Sequence, residues 1–327
     1  MGRNRVVSGM RPTGKLHLGH FHGVLDNWLK LQEEYDCFFF AADWHSLTTE
    51  YADTSAIREN TRDMVLDWLA FGLDPAKCVI FEQSMVPHHA ELSLILGMIT
   101  PVSWLERNPT YKEMQENLEQ RDLSTFGFLG YPVLMAADII LYKATRVPVG
   151  HDQIPHLEIT REIARRFNHL YSPVFPEPEA LLTETPKLLG LDGRKMSKSY
   201  GNSIYLSDDA ETTRKKVMSM VTDTDRVRRA DPGEPDHCVA FNLHRIYVPQ
   251  DKLDEIMPAC RSAAIGCVEC KKILAEFMVE RLAPFREKRQ ELAAKPGLVD
   301  EILEEGSRRA SEESGKILAE VRAALKF

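Results

Sequence analysis

The first third of the chain alternates short apolar segments with longer amphipathic ones, and this alternation limits the fold more than any other feature. The segments "RVVSGM", "CFFFAAD" and "CVIFEQS" have the length and composition of buried strands. After the first of them, apolar residues recur every three or four positions, at Phe21, Val24, Leu25, Trp28 and Leu29. A second helical pattern covers about 55–71 and stops at Gly72. Strands and helices that alternate in this way predict a parallel, doubly wound sheet.

The pattern repeats farther along the chain and then changes. "RVPVG" predicts a strand, and "DQIPHLEITREIARRFN" predicts a helix with an acidic residue and a proline near its start. Beyond about Ile204 the strand patterns fade, and three long segments, "DAETTRKKVMSMV", "CKKILAEFMVERLAPFREKRQEL" and "EEGSRRASEESGKILAEVRAAL", predict helices. We expect a Rossmann-like α/β domain over residues 1–204 and a mainly helical domain over residues 205–327, whose last helix packs back on the first domain.

The composition limits the location and the partners of the chain. No apolar run approaches the roughly 20 residues that a membrane helix needs, and the N-terminus lacks the apolar core of a secretory signal, so we expect a cytoplasmic protein with no membrane partner. A net charge of -8 argues against a general nucleic-acid coat. Local basic segments, such as "TRKKV" and "DRVRRA", leave a specific RNA partner open, the alternative being solvated helix faces.

The segment "TGKLHLGH" should carry the chain from the first strand into a helix. In an open α/β sheet, ligands bind outside the carboxyl ends of the strands, where a helix N-terminus presents free N–H groups. Gly19 would let the backbone approach a nucleotide closely, and His17 and His20 can reach its phosphates from one side. The alternative is that the two histidines only cap the helix.

The segment "GRKMSKSYGN" places Lys195 and Lys198 three residues apart among small polar residues. Its poor helix propensity predicts a mobile loop. Two lysines that close on a triphosphate would offset the charge that develops on a departing pyrophosphate. Taken alone, however, a lysine pair in a surface loop carries little information.

Together, "HLGH" and "KMSKS", about 175 residues apart, resemble the signature pair of the class I aminoacyl-tRNA synthetases. The segments "SGMRPTGKLHLGH", "ADWHSLTT", "YPVLMAADIILYKA" and "VPVGHDQIPHLEITREIARRFN" are similar to the bacterial tryptophanyl branch of that family in order and spacing. The resemblance to the tyrosyl branch is confined to the two signatures and the general architecture. The resemblance implies a homodimer that activates L-tryptophan with ATP and Mg²⁺ and transfers it to tRNA(Trp), with an anticodon-binding helical domain.

The resemblance also assigns residues to ATP. It implies catalytic roles for His17, His20, Lys112, Lys195 and Lys198. The residues that match ATP-contacting positions are Arg11, Pro12, Thr13, Gly19, His20, Gly150, His151, Asp152, Leu188, Lys195, Met196, Ser197, Lys198 and Ser199. The chain departs from the family at position 151, where His151 replaces the usual glutamate, so only a backbone contact carries over. An imidazole there would make ATP affinity depend on pH, and a flat affinity between pH about 6 and 8 would remove this hypothesis.

Asp138 lies in the otherwise apolar run "YPVLMAADIILY". A buried carboxylate is costly unless it accepts hydrogen bonds, and an indole N–H is a donor that accepts nothing. In the family, the matching aspartate binds the indole nitrogen. The resemblance predicts a tryptophan pocket formed by Asp138, Met135, Tyr131 and His45, with Gln153 near the substrate ammonium. The alternatives are a structural, salt-bridged Asp138 and plain core roles for Met135 and Tyr131.

The chain has six cysteines of two kinds. Cys37 and Cys78 lie in predicted strands and should be small core residues. The other four, Cys238, Cys260, Cys267 and Cys270, form C-x21-C-x6-C-x2-C, and clustered thiols in a reducing compartment favour a metal site. Four thiolates suit zinc or an iron-sulfur cluster equally well. A subset of tryptophanyl enzymes holds a [4Fe-4S] cluster with a similar spacing, one residue longer in the first gap, and this resemblance favours iron-sulfur over zinc. Core cysteines without a metal are the third alternative.

Three other functions stay open on sequence alone. The same fold can charge tyrosine, whose hydroxyl both donates and accepts and would need a second polar partner beside the aspartate. A paralogue that binds tryptophan or tRNA without charging is a second alternative. A small-molecule nucleotidyltransferase with the histidine signature is the third, although such an enzyme needs neither the helical domain nor the cysteines.

Overall fold

The computed structural model describes residues 4–108, 124–182 and 188–327. These residues group into two compact units by their contacts. Unit 1 takes its residues from 1–14, 27–184 and 295–327, and unit 2 from 15–26 and 185–294. The domain boundary at residue 204 stays a prediction. The contact grouping differs from it, because the "HLGH" segment and residues 188–204 group with the helical region, and the C-terminal helix groups with the sheet.

Unit 1 is built on a five-stranded parallel sheet, as the alternating sequence pattern predicts. Its strands are β1 (Arg5–Met10), β2 (Asp36–Ala41), β3 (Cys78–Glu82), β4 (Arg146–Val149) and β5 (Glu179–Leu182). They lie in the order β3-β2-β1-β4-β5. The order reverses between β1 and β4, and the crevice at the carboxyl ends of these two strands is where an open α/β sheet binds ligands. The predicted fold class is confirmed.

Both units contain helices. In chain order they are α1 (Leu18–His20), α2 (Asp26–Glu34), α3 (Asp43–Glu50), α4 (Ile57–Phe71), α5 (His88–Ile99), α6 (Val102–Glu106), α7 (Phe126–Ile140), α8 (Ile154–Leu170), α9 (Ala210–Ser219), α10 (Val239–Tyr247), α11 (Gln250–Arg261), α12 (Cys267–Ala293) and α13 (Leu298–Leu325). A π-helical turn (Phe21–Leu25) joins α1 to α2. Helix α4 ends at Gly72, whose φ of 116° is the left-handed conformation that favours glycine. No helix within the described ranges is long and apolar enough to cross a membrane.

The C-terminal helix α13 covers the edge of the sheet. Strand β3 is an edge strand, and the Glu82 N–H donates to Ser307 Oγ at 3.4 Å. Gly306, one residue earlier, lies directly on the strand, since a Cβ at this position would be 1.7 Å from the Ile80 carbonyl oxygen. The glycine therefore lets the helix backbone approach the strand, and the helix protects an edge that would otherwise expose unpaired backbone groups.

In unit 2, the "HLGH" segment is anchored by backbone pairing with a distant part of the chain. The Leu18 N–H donates to the Ile204 carbonyl at 3.1 Å, and the Leu206 N–H donates to the Leu16 carbonyl at 2.9 Å. His17 pairs with Tyr205 in an antiparallel bridge. This pairing explains why residues 15–26 group with the second half of the chain.

Candidate active site

The two histidines of "HLGH" cap helix α1 and also present a donor. His17 is the N-cap, and its Nδ1 accepts from the Gly19 N–H at 3.0 Å. His20 Nδ1 accepts from the His17 N–H at 3.2 Å, which completes a capping box. Because both Nδ1 atoms accept, each neutral ring carries its proton on Nε2. The two histidines therefore do cap the helix, as the alternative prediction stated. The capping bonds also leave each Nε2–H able to donate a hydrogen bond to a phosphate oxygen.

Both rings are held neutral. Burial, with smaller contributions from the nearby charges of Lys198 and Lys195, lowers the pKa of His17 to about 4. Burial also holds the pKa of His20 well below its usual range, with help from His17 and Lys198. The two signature motifs thus come close enough within unit 2 for the lysines to act on the histidines. Neutral imidazoles donate without adding positive charge, which leaves charge compensation to the lysines.

Replacing His17 with asparagine should weaken the pH dependence of stability. Asparagine can still accept the Gly19 N–H but does not titrate. The native pKa of His17 is about 4 and the usual value is 6.5, so the native state binds fewer protons between these values. The neutral histidine therefore stabilises the fold above pH about 6.5, and this contribution is lost as the pH falls towards 4.

From pH 7 to pH 5 we expect the free energy of unfolding to fall by about 2 kcal/mol more in the wild type than in His17→Asn. Urea unfolding at the two pH values measures the difference. Equal losses in the two proteins would contradict the assigned burial of His17.

The "KMSKS" segment ends a hairpin whose shape depends on Asn202. Leu189 pairs with Lys195, and the Met196 N–H donates to the Leu188 carbonyl at 3.0 Å. Asn202 Oδ1 accepts from the Ser197 N–H at 2.9 Å. Its Nδ2 donates to Asp192 Oδ1 at 2.7 Å and to the Lys195 carbonyl at 3.3 Å.

The sequence analysis missed Asn202 and Asp192. The hairpin also needs Gly190, because a Cβ there would be 2.3 Å from the Asn202 side chain. Met196 and Leu188 are buried, and Lys198 begins a short 3-10 turn, Lys198–Tyr200, to which Ser199 belongs. The mobility of this loop stays a prediction.

In unit 1, two predicted ATP-contacting segments lie at the point where the strand order reverses. Arg11, Pro12 and Thr13 follow β1, and the Arg11 guanidinium donates to Thr49 Oγ1. Gly150 follows β4 and precedes a 3-10 turn, His151–Gln153, that leads into α8. His151 is exposed. Lys112 lies outside the described residues.

Asp138 is the centre of a buried polar cluster in unit 1. The carboxylate is 2% exposed, and its Oδ1 accepts from Gln83 Nε2 and from His89 Nδ1, both at 2.7 Å. Oδ2 accepts from His45 Nε2 at 2.8 Å. Burial raises the pKa of Asp138, but the hydrogen bonds from His45 and His89 outweigh it and hold the pKa at about 2. The group is therefore a carboxylate to which three side chains of the described part of the chain donate, and these leave one acceptor position on Oδ2.

Sequence reasoning found Asp138 and His45 but missed Gln83 and His89. His89 is fully buried, and its Nε2 lies 2.7 Å from the Tyr142 hydroxyl. Gln83 and His89 follow β3, and the fold brings them to Asp138 on α7, a helix that does not start until Phe126. The segment "EQSMVPHHAE" has several polar residues directly after a strand, and this cluster is the signal that the sequence offers.

The other predicted pocket residues lie on α7 and at the start of α8. Tyr131 OH lies 2.8 Å from His156 Nε2, and the Tyr131 ring meets the His45 ring edge-on, with centroids 6.4 Å apart. Met135 is partly buried against the core, one turn before Asp138. Gln153 ends the 3-10 turn after β4. The structure thus brings Asp138, His45 and Tyr131 together.

The four clustered cysteines come from three helices of unit 2. Cys238 is the N-cap of α10, Cys260 lies near the end of α11, and Cys267 and Cys270 begin α12. All four are free thiols. Burial, with smaller contributions in the same direction from the other three cysteines, raises the pKa of Cys270 to about 12. Among the described residues, however, no three of these sulfurs lie within 4.8 Å of one another.

Among the described residues, Arg226 and His244 lie beside two of these sulfurs. Arg226 Nη1 lies 3.8 Å from Cys267 Sγ, and His244 Nε2 lies 3.2 Å from Cys270 Sγ. N–H groups directed at ligand sulfurs are typical of metal thiolate sites. Cys37 and Cys78, by contrast, are fully buried neighbours on β2 and β3, so their predicted core role is confirmed.

The chain is similar to known proteins over most of its length. The family model described as tRNA synthetases class I (W and Y) matches residues 1–283. The chain is 53% identical to a tryptophan–tRNA ligase of Thermotoga maritima, over 98% of each chain. It is 47% identical to the tryptophan–tRNA ligase of Aquifex aeolicus, over 98% of this chain and 99% of that one. The crystal structure of tryptophanyl-tRNA synthetase from Campylobacter jejuni, complexed with ADP and tryptophan, is 33% identical with a TM-score of 0.90 and covers 99% of this chain and 100% of that chain.

Proposed function

Because the chain belongs to the class I tRNA synthetases for tryptophan and tyrosine, we infer from its site that it is an ATP-dependent tryptophan–tRNA ligase. The observation that carries the choice of tryptophan is the hydrogen-bonding state of Asp138. Within the described ranges, three donors are directed at the carboxylate, and the acceptor position that they leave on Oδ2 can receive a hydrogen bond but cannot donate one. An indole N–H fits such a position, whereas a phenol hydroxyl would also need a donor.

The reaction joins two substrates without a covalent enzyme intermediate. A carboxylate oxygen of tryptophan attacks the α-phosphorus of ATP, the bond to the β-phosphate oxygen breaks, and pyrophosphate leaves. A ribose hydroxyl at the end of tRNA(Trp) then attacks the carbonyl of the adenylate and releases AMP. Such catalysis is mostly positioning and charge stabilisation.

We assign the phosphate chemistry to the motifs of unit 2. The Nε2–H groups of His17 and His20 donate to phosphate oxygens, and Lys195 and Lys198 offset the charge that moves onto pyrophosphate. The proposed role of Lys112 rests on the family resemblance. Mg²⁺ prefers the phosphate oxygens of the nucleotide and needs few protein ligands, so no side chain is assigned to it.

Within unit 1, we assign the indole to Asp138, with Tyr131, Met135 and His45 as further walls and Gln153 near the ammonium group. Arg11, Pro12 and Thr13 and the segment of Gly150, His151 and Asp152 are proposed ATP contacts, since they follow adjacent strands where the order reverses. In unit 2, Gly19, Leu188, Met196, Ser197 and Ser199 complete the proposed ATP set.

The cysteines of unit 2 fit a [4Fe-4S] cluster better than a single zinc ion. Tetrahedral zinc draws four sulfurs to about 2.3 Å from one centre, whereas a cubane holds its thiolates farther apart. Among the described residues, no three of these sulfurs lie within 4.8 Å of one another, and the Arg226 guanidinium faces Cys267 Sγ; both observations support the larger group. When bound, the cluster would join the ends of α10, α11 and α12.

Metal analysis tests this assignment. We expect iron and acid-labile sulfide in the purified protein, both lost in Cys260→Ser and both kept in Cys78→Ala, which removes a thiol outside the four. Zinc without sulfide would contradict the cluster.

A homodimer is proposed from an apolar face of unit 1. Leu94, Met98, Val102 and Phe126 are 64%, 75%, 55% and 88% exposed on the neighbouring helices α5, α6 and α7. Exposed apolar patches of this kind mark interaction sites. Sedimentation should give twice the chain mass of 37.3 kDa, and Met98→Glu should shift it towards one chain, while Val227→Glu in unit 2 should not. The cytoplasmic location stays a prediction.

Charging of tRNA tests the whole assignment. Labelled tryptophan should become acid-precipitable in the presence of ATP and bacterial tRNA, and labelled tyrosine should not. Adenylate formation without transfer would favour a tryptophan-binding paralogue, and the full-length similarity to tryptophan–tRNA ligases argues against that outcome.

A further inference from the structure

One face of helix α10 contacts the hairpin that leads into "KMSKS". Val239 packs against the turn of this hairpin, since a Cβ on Gly193 would lie 3.0 Å from Val239 Cγ2. One helical turn later, Asn242 Oδ1 accepts from the Leu189 N–H at 3.3 Å. Leu189 pairs with Lys195, so Asn242 holds the base of the hairpin opposite the first signature lysine.

The far end of α10 contacts the turn that follows "HLGH". The Tyr247 hydroxyl lies 2.8 Å from His22 Nε2, and His22 Nδ1 lies 2.9 Å from Asp26 Oδ2. Since the carboxylate only accepts, His22 Nδ1 carries the proton, and Tyr247 donates to Nε2. Tyr247 is 6% exposed, so this bond is shielded from water.

His22 belongs to the π-helical turn that starts directly after His20. Such turns are rare overall, and those that occur often lie at functional sites. Compared with an α-helix, a π-helical turn changes the direction in which its side chains point. The Tyr247–His22 bond therefore fixes the backbone that carries the signature histidines.

The same helix also contacts the cysteine site. Cys238 is its N-cap, and His244 Nε2 lies 3.2 Å from Cys270 Sγ. The His244 ring is fully buried and stacks on Phe241, with centroids 5.1 Å apart. One nine-residue helix thus contacts the hairpin that leads into "KMSKS", the turn that follows "HLGH" and Cys270, and it begins at another of the four cysteines, Cys238.

We propose that α10 positions both ATP-binding motifs, with Asn242 and Tyr247 as its positioning residues, and that the metal centre at the cysteines fixes this helix. The proposal rests on the proposed ATP roles of "HLGH" and "KMSKS". It follows that ATP and the metal stabilise each other's binding, because coupling between two sites through one element is reciprocal.

The first test compares variants that remove one contact each. Tyr247→Phe and Asn242→Leu should each weaken ATP binding, measured by calorimetry, by roughly tenfold, as the loss of one partly buried hydrogen bond can do. KM for tryptophan in pyrophosphate exchange should stay unchanged. Asn242→Asp keeps an accepting oxygen and should restore the affinity, and Tyr171→Phe, which removes an exposed hydroxyl in unit 1, should match the wild type.

The second test measures release of bound metal into a coloured chelator. ATP should slow the release several-fold in the wild type and have little effect in Tyr247→Phe. Unchanged ATP affinity in both Tyr247→Phe and Asn242→Leu would overturn the proposal. Metal release from the wild type at the same rate with and without ATP would overturn the link to the cysteines. Altered ATP affinity without any pyrophosphate exchange would support the positioning role and reject the proposed enzyme function.

Discussion

Replacing Asp138 with asparagine is expected to lower kcat/KM for tryptophan by roughly 100-fold, as the loss of a buried hydrogen bond to a charged group can do. The asparagine has the same shape, but its NH₂ group donates. Gln83, His45 and His89 all direct donors at this position, so the new side chain leaves donors facing one another and offers the indole a poorer acceptor. Pyrophosphate exchange at varied tryptophan measures the loss.

A substrate analogue separates recognition from damage to the fold. In β-(3-benzothienyl)alanine a sulfur replaces the indole N–H, so it cannot donate to Asp138. The wild type should discriminate strongly against this analogue, and Asp138→Asn should discriminate far less. Asp36→Asn, at a half-exposed ion pair with Arg5, is the matched control and should behave like the wild type. Equal discrimination in the wild type and Asp138→Asn would contradict the indole assignment.

Replacing Gly306 with alanine should lower the free energy of unfolding by about 3 kcal/mol or more, because overpacking against backbone forces the two elements apart. The added Cβ would lie 1.7 Å from the oxygen and 2.7 Å from the carbon of the Ile80 carbonyl. A strand backbone in the sheet cannot rotate away as a side chain can. The Ser307 contact with Glu82 would be lost at the same time.

Gly315→Ala, on the same helix, is the matched control. There a Cβ would meet only the edge of the His88 ring, at 3.3 Å, so the free energy of unfolding should change by less than about 1 kcal/mol. Urea unfolding measures both variants. Equal stabilities for Gly306→Ala and Gly315→Ala would show that α13 does not pack directly on β3.

The elements that the sequence predicts well are those with local signals. The apolar runs of β1, β2 and β3 and the repeating pattern of α4 depend on neighbours within a few residues. Asp138 can be predicted from the sequence because a carboxylate in an apolar helix needs hydrogen-bond donors wherever the helix lies. The signature histidines and lysines can be predicted because each pair lies three residues apart and both residue types bind phosphates.

The features that cannot be predicted from the sequence depend on contacts between segments that are far apart in the chain. Gln83 and His89 reach Asp138 across 55 and 49 residues, and no local pattern marks either of them as its partner. Asn202 looks like an ordinary loop residue until the hairpin brings Asp192 beside it. Tyr247 likewise meets His22 across 225 residues.

The chain is expected to form tryptophanyl-adenylate from tryptophan and ATP. The most direct test is exchange of labelled pyrophosphate into ATP on the metal-containing protein, with tryptophan and tyrosine side by side. Exchange with tryptophan alone is the predicted result. Exchange with tyrosine alone would keep the fold and reject the reading of Asp138, and no exchange with either amino acid would contradict the enzyme assignment.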